Sequence, residues 1–437
     1  MPRHPVSGGA GRSDRTGAGS AFRHGRIESS VVPASADILP TDGIERASDA
    51  RVDGRLLLDR ICVQAPAVLA ESGTQWFIRL TSGYRRSMSG KRIVVTGATG
   101  NVGSSVVEAL SAHESVGSVL GLSRRPTTWS VPKVEFAVAD VSKDNLHRHF
   151  QGADVVIHLA WLFQPTHRPE VTWENNVLGS IRVFHAVAET EVPVLIHASS
   201  VGAYSPGNRQ PAVSEQWPTH GWPDAAYPRE KAYLERCLDA FQERHHTRTV
   251  RMRPGFTFQK KSASAQRRLF AGPFLPGSLV KRPWIPVLPR LPELTMQVVH
   301  SADVADTYVA AAVGQHEGAF NLAADPPVDM ETIADLLGAR LIDVPESMIR
   351  TGIRAAWYAH VIPATSGLFD TVMRIPNMDC TRARIELDWL PTRTPTEVLG
   401  EFFEGLRTGS GGPTAPLASD RPASRIREFT SGIGVHA

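Results

Sequence analysis

From residue 92 onward, short unbroken apolar runs alternate with longer stretches whose apolar positions recur every three or four residues. The runs 92–96, 116–122, 134–139, 155–159 and 194–198 are rich in Val, Ile and Leu. A strand covered on both faces reads this way, because neither side alternates with solvent. Between them, 102–112, 144–150 and 173–189 carry helical periodicity. The alternation predicts an α/β fold with a doubly wound parallel sheet. From about 259 to 294 the chain turns Pro-rich and Arg-rich, with Phe270, Phe274, Trp284, Ile285 and Leu288 interspersed. That change divides a main α/β domain over 88–258 from a smaller C-terminal, substrate-side region over 259–408. Beyond Thr408, Gly, Ser and Pro dominate, so 409–437 read as a disordered tail.

Composition narrows the class. The chain has 437 residues, 42% hydrophobic and 21% charged, with a net charge of +3. Residues 1–87 hold 12 Arg, no Lys and 9 acids, while the remainder balances 35 basic against 35 acidic residues. A neutral body argues against nucleic acid as the main partner, since that binding rests on clustered cationic charge. Residues 1–87 are expected to be a disordered extension or an upstream mis-start, with Met88 as the functional start. Cys62, Cys237 and Cys380 are too few and scattered for a disulfide framework or a zinc set, so a reducing cytoplasmic setting is expected. No run in 1–87 reaches the roughly 18–20 apolar residues that span a bilayer. The stretch 353–375 is broken by Arg354, His360, Pro363, Asp370 and Arg374. No membrane role and no metal are expected. A small molecule is the expected partner.

The first apolar run ends in Gly97-Ala98-Thr99-Gly100-Asn101-Val102-Gly103, directly before a helix. Glycines there let backbone approach a pyrophosphate seated at the helix N-terminus. A plain glycine-rich turn is the alternative. The second run ends Leu122-Ser123-Arg124-Arg125, where a carboxylate would favour NAD. Two guanidiniums suit a 2′-phosphate instead, so the cofactor reads as NADP or NAD with NADP favoured. Solvated loop charge is the competing account. Asp140 and Val141 follow the third run, and Leu159 and Ala160 end the fourth.

Ser199 and Ser200 close the fifth run, and Tyr227 and Lys231 follow at i, i+4 near the start of a helix over 231–241. Such spacing puts phenol and ammonium on one face. An ammonium beside a phenol is expected to lower its pKa from about 10 towards working pH. Tyr227 could then exchange a proton with a substrate oxygen that Ser200 also holds.

This set, with Asn175-Asn176-Val177, Arg253-Pro254-Gly255, His300-Ser301-Ala302-Asp303 and Phe320-Asn321-Leu322-Ala323, resembles the extended short-chain dehydrogenase/reductase family, the NAD-dependent epimerase/dehydratase group. The resemblance spans about 91–399 and implies a Rossmann-type fold. It implies Tyr227 as acid/base, Lys231 on the nicotinamide ribose, Ser200 polarising the substrate and Asn176 supporting the proton relay. Gly97, Thr99, Gly100, Asn101, Val102, Gly103, Arg124, Arg125, Asp140, Val141, Leu159, Ala160 and Pro254 are the expected cofactor contacts. A homodimer is expected by the same analogy. Val201-Gly202 after Ser200 lack the acids of family dehydratases, which disfavours dehydration. Phe256 stands where sugar-nucleotide epimerases often carry Asn, and Arg267 and Arg268 are the candidate pyrophosphate clamp. Trp161 and Phe256, with Phe163 and Trp284, are expected to line an apolar substrate pocket, or else to be core. The reading is hydride transfer at a secondary alcohol or ketone. Alternatives are a nucleotide-sugar epimerase with tightly held NAD, and a non-catalytic dinucleotide sensor.

Overall fold

The computed structural model describes residues 90–420, apart from 165, 208, 273–276, 278–279 and 281–284. The expectations for Met88, residues 1–87, Phe274 and Trp284 lie outside the described residues. Nine strands frame the sheet and the site beside it: β1 (Lys91–Thr96), β2 (Val116–Ser123), β3 (Val134–Val138), β4 (Val155–His158), β5 (Val194–Ala198), β6 (Arg248–Pro254), β7 (Phe256–Phe258), β8 (Val298–His300) and β9 (Gly318–Leu322). Seven of them form one parallel sheet in the order β9-β6-β5-β4-β1-β2-β3. Strand order reverses between β1 and β4, and the C-terminal ends of the strands flanking that point are where open α/β sheets bind ligands.

Successive side chains of each strand serve opposite layers. Ile93, Val95, Ile157 and Ile196 pack under α1 (Asn101–Ala112) on one face. Val94, Val156 and Leu195 meet α2 (Gly179–Glu189) and α3 (Ala226–Arg244) on the other. Burying both faces is why the strands read as continuous apolar runs. Each such side chain contributes roughly 1.5–3 kcal/mol. The β8 strand leads straight into α4 (Ser301–Val313), whose Val304 and Tyr308 complete the layer beside α1.

Several expected boundaries shift. The helix expected over 144–150 is confined to His147–Phe150. Asp140 accepts from the Ser142 amide at 2.9 Å and Asp144 from the Asp140 amide at 2.8 Å, a local turn that competes with helix. The helix expected over 173–189 starts earlier, at Pro169, and winds as a π turn over Trp173–Leu178. The region after 258 is also not confined to the substrate side, because α4 and β9 return to the main sheet.

The tail is the largest correction. It does not become disordered at 409, since residues 409–420 pack as a strap. Leu417 is buried, the Thr414 hydroxyl donates to the Thr99 carbonyl at 2.7 Å, and Arg267 pairs with Asp420 at 2.8 Å. α5 (Ala263–Phe270), which bears Arg267, and α6 (Pro395–Thr408), which ends at Gly409 in the left-handed conformation, feed this strap. Residues 421–437 lie outside the described residues. Among the described residues, no helix is long and apolar enough to cross a membrane.

Candidate active site

A cavity of about 990 Å³ opens along the C-terminal ends of the sheet strands. The glycine turn forms one wall. Gly97 adopts φ +72°, and a Cβ there would stand 2.6 Å from the Ala160 amide nitrogen. A Cβ on Gly103 would stand 2.1 Å from the Gly97 carbonyl. Both positions therefore require glycine. The first turn of α1 has neither a capping side chain nor an acid, so its amides and positive dipole end favour an anion. This backbone cradle fits a dinucleotide pyrophosphate.

Every expected cofactor contact lines the cavity, from Gly97, Thr99, Gly100, Asn101, Val102 and Gly103 through Arg124, Arg125, Asp140, Val141, Leu159 and Ala160 to Pro254. Arg124 and Arg125 are exposed at the end of β2, and Asp140 attracts the Arg124 guanidinium. Ser200, Tyr227, Lys231 and Asn176 line the middle, with Trp161, Phe163 and Phe256 alongside.

The chemistry of the centre differs from the expectation in one respect. The Tyr227 phenol is not lowered but pushed up to about 12, because burial outweighs a hydrogen bond with Ser200. That burial is aromatic. Phe163 stacks on Tyr227 at 4.7 Å and 17°, Trp161 meets it edge-on at 5.7 Å, and Phe270 closes on Phe163 at 5.4 Å. The Ser200 hydroxyl accepts from the Gly202 amide at 3.0 Å, which leaves its proton for the phenol oxygen and stabilises the phenolate. A Cβ on Gly202 would come within 2.9 Å of the Tyr227 ring, so the chain after Ser200 can follow this path only without a side chain.

Lys231 is buried, and desolvation lowers its ammonium to about 7 against the opposing pull of Glu230 and Glu235. Its Nζ donates to the Ala198 carbonyl at 2.6 Å and lies 3.5 Å from the centre of the Trp161 ring. Behind it, His158 is fixed between Thr96 at 2.7 Å and Ser180 at 2.8 Å, and burial with the Lys231 charge lowers it to about 3.

Asn176 reaches the centre by a different route from a catalytic contact. Its amide brackets Leu162, accepting from the Leu162 amide at 2.7 Å and donating to its carbonyl at 2.8 Å, and donates to Glu230 at 2.7 Å. Asn176 therefore positions the segment that carries Trp161 and Phe163. Glu230 and Glu235 are functional supports that the motif reading missed. Glu235 accepts from Ser199 at 2.5 Å and forks onto Arg253 at 2.8 and 2.9 Å. The signal was present, since Tyr227, Lys231 and Glu235 repeat at intervals of four on one helix face. Arg267 and Arg268 do line the far end, but their guanidiniums are engaged by the strap.

A parallel sheet with a glycine cradle at its switch point, and Ser200, Tyr227 and Lys231 lining the same cavity, defines a Rossmann-type, dinucleotide-binding α/β protein. Residues 93–323 match the model of the NAD dependent epimerase/dehydratase family, and the chain belongs to that family. It is 28% identical over 178 residues to an L-arabinose 1-dehydrogenase (NAD(P)(+)) of Haloferax volcanii, 38% of this chain and 66% of that protein. It is 29% identical over 167 residues to a UDP-glucose 4-epimerase of Neisseria meningitidis serogroup C, 35% of this chain and 49% of that one. The matched stretch thus spans less than two thirds of either relative. Among solved structures, the Thermus thermophilus UDP-glucose 4-epimerase complex with NAD superposes with a TM-score of 0.54 at 19% identity, covering 72% of this chain and 99% of that one. The UDP-N-acetylglucosamine 4-epimerase of Methanobrevibacter ruminantium gives 0.53 at 18% identity, covering 74% and 99%. Both share the fold.

Proposed function

We propose that this protein transfers a hydride between a nicotinamide dinucleotide and a secondary alcohol or ketone, with Tyr227 moving the proton. The observation that carries the reading is the convergence of Ser200, Tyr227 and Lys231 on one cavity whose other wall is the glycine cradle. A bound nicotinamide would supply the hydride acceptor or donor. The cradle from Gly97 to Gly103 would hold its pyrophosphate, and Arg124 and Arg125 would favour a 2′-phosphate on its adenine ribose.

The chain's own groups do the rest. With its phenol held near 12, Tyr227 is protonated at neutral pH and can donate to a carbonyl oxygen. Ser200 orients that oxygen and stabilises the phenolate left behind. Lys231, near 7, places a cation close enough to assist the same charge when it is protonated. The Phe163, Phe270 and Trp161 rings exclude water from the exchange.

Tyr227→Phe is the test, because it keeps the ring stack and removes the proton. Turnover should fall at least about a hundredfold, within the range of a lost acid/base group, while cofactor binding by nicotinamide fluorescence stays within about twofold. Retained turnover would end this reading. A redox-neutral epimerase, the activity for which the Neisseria relative is named, would use the same residues. It is separated by the absence of net change in nicotinamide absorbance during turnover.

A further inference from the structure

Resting on the hydride-transfer reading, we propose that the substrate is an apolar ketone or alcohol carrying no diphosphate, and that the strap over 409–420 sets this selectivity. The far end of the cavity is walled by Phe163, Leu269, Phe270, Val372, Ile375 and Leu417. Among the described lining residues, the fixed charges at the other end are Arg124, Arg125 and Asp140, and Lys231 stands at the centre. Among the described lining residues, Arg267 and Arg268 bring cations to the far end.

Neither is aimed at a ligand. Arg267 is buried; its Nη2 donates to the Asp420 carboxylate at 2.9 Å, and its Nε lies at ion-pair distance, 2.8 Å, from the same group. Its Nη1 donates to the Gly272 carbonyl at 2.5 Å. The guanidinium that could otherwise meet a phosphate is thus held against an internal carboxylate. Arg268 donates to the Ala418 carbonyl at 3.0 Å and the Pro416 carbonyl at 3.1 Å. The same segment is pinned by Asp420 N to Ser264 at 3.2 Å and by Thr414 to Thr99. It cannot shift aside to expose the guanidiniums without breaking all of these together. A nucleoside diphosphate would have to displace a buried carboxylate from a buried guanidinium, leaving one charge unpaired. An apolar carbonyl compound displaces only water from aromatic and aliphatic walls.

The test uses the full chain saturated with its preferred nicotinamide cofactor, titrated by calorimetry with 4-phenyl-2-butanone and, separately, with UDP. The ketone should bind at least about tenfold more tightly than UDP. Asp420→Ala should reverse the order, since it frees the Arg267 fork and loosens the wall. Should that variant fail to fold, Leu417→Ser leaves the ion pair intact and should weaken the ketone about tenfold without admitting UDP. Tighter UDP binding by the unaltered chain, or no ketone binding at about 1 mM, overturns the proposal. Its failure is distinct from failure of the hydride-transfer reading. That failure would show as ketone binding with no oxidation of reduced nicotinamide and no effect of Tyr227→Phe.

Discussion

Glu235 shows how much of the site rests on one buried charge. Burial alone would raise its carboxyl, but the hydrogen bond and charge of Arg253, with Arg251 and Ser199, draw it down to about 2 from 4.5. A carboxyl depressed in the folded state stabilises above its unfolded pKa. The contribution is full above 4.5 and is lost as pH falls from there towards 2. Two to three units correspond to about 3 kcal/mol. Glu235→Ala should therefore cost about 3–5 kcal/mol at pH 7, because Arg253 and Arg251 lose their buried partner. The difference from the unaltered chain should narrow at pH 3, which chemical denaturation at the two pH values would reveal. An equal gap at both would show that Glu235 serves only as filler. At this scale the sequence was partly legible. Ser200, Tyr227 and Lys231 could be picked out by local spacing, whereas their ionisation could not. The rings that desolvate Tyr227 come from Phe163 and Phe270, in segments 64 and 43 residues away. Proximity to Lys231 alone pointed the wrong way.

Among the elements, the glycine turn was readable because its geometry is local to seven residues. Gly103→Ala would place a methyl 2.1 Å from the Gly97 carbonyl, far inside contact distance. The turn or the start of α1 must then move by about an ångström, and displacement of that size can cost about a hundredfold. Titration with NADP and NAD should show such a loss while the far-ultraviolet circular dichroism is unchanged. Binding at full strength would mean that the cradle is not where the pyrophosphate sits. The π turn at Trp173–Leu178 was not readable, because its apolar spacing also satisfies an α-helix. The added residue per turn lets Asn176 bracket Leu162, a contact 14 residues distant. The start of the helix at 147 rather than 144 was likewise hidden, since Asp140 and Asp144 look equally at home in a helix or an Asx turn.

For the whole molecule, the parallel sheet was legible from unbroken apolar runs, and its order follows from right-handed crossovers. The strap was not. Gly, Ser and Pro from 409 onward signal a loop, and what orders them is a set of partners far back in the chain. Arg267 meets Asp420 across 153 residues, and Thr99 meets Thr414 across 315. That last pairing gives the fold a temporal character. During synthesis the glycine turn, Ser200 and the helix bearing Tyr227 and Lys231 leave the ribosome long before the residues that roof them. Chains stalled short of residue 409 would carry a complete sheet face and a cofactor wall open on one side. Such chains should be washed from an immobilised nicotinamide dinucleotide more readily than chains stalled after residue 420 has emerged. Equal retention at both lengths would show that the roof adds nothing to the hold. The pocket is thus closed late, by Thr414 and Leu417, over a wall that Gly97 and Thr99 begin.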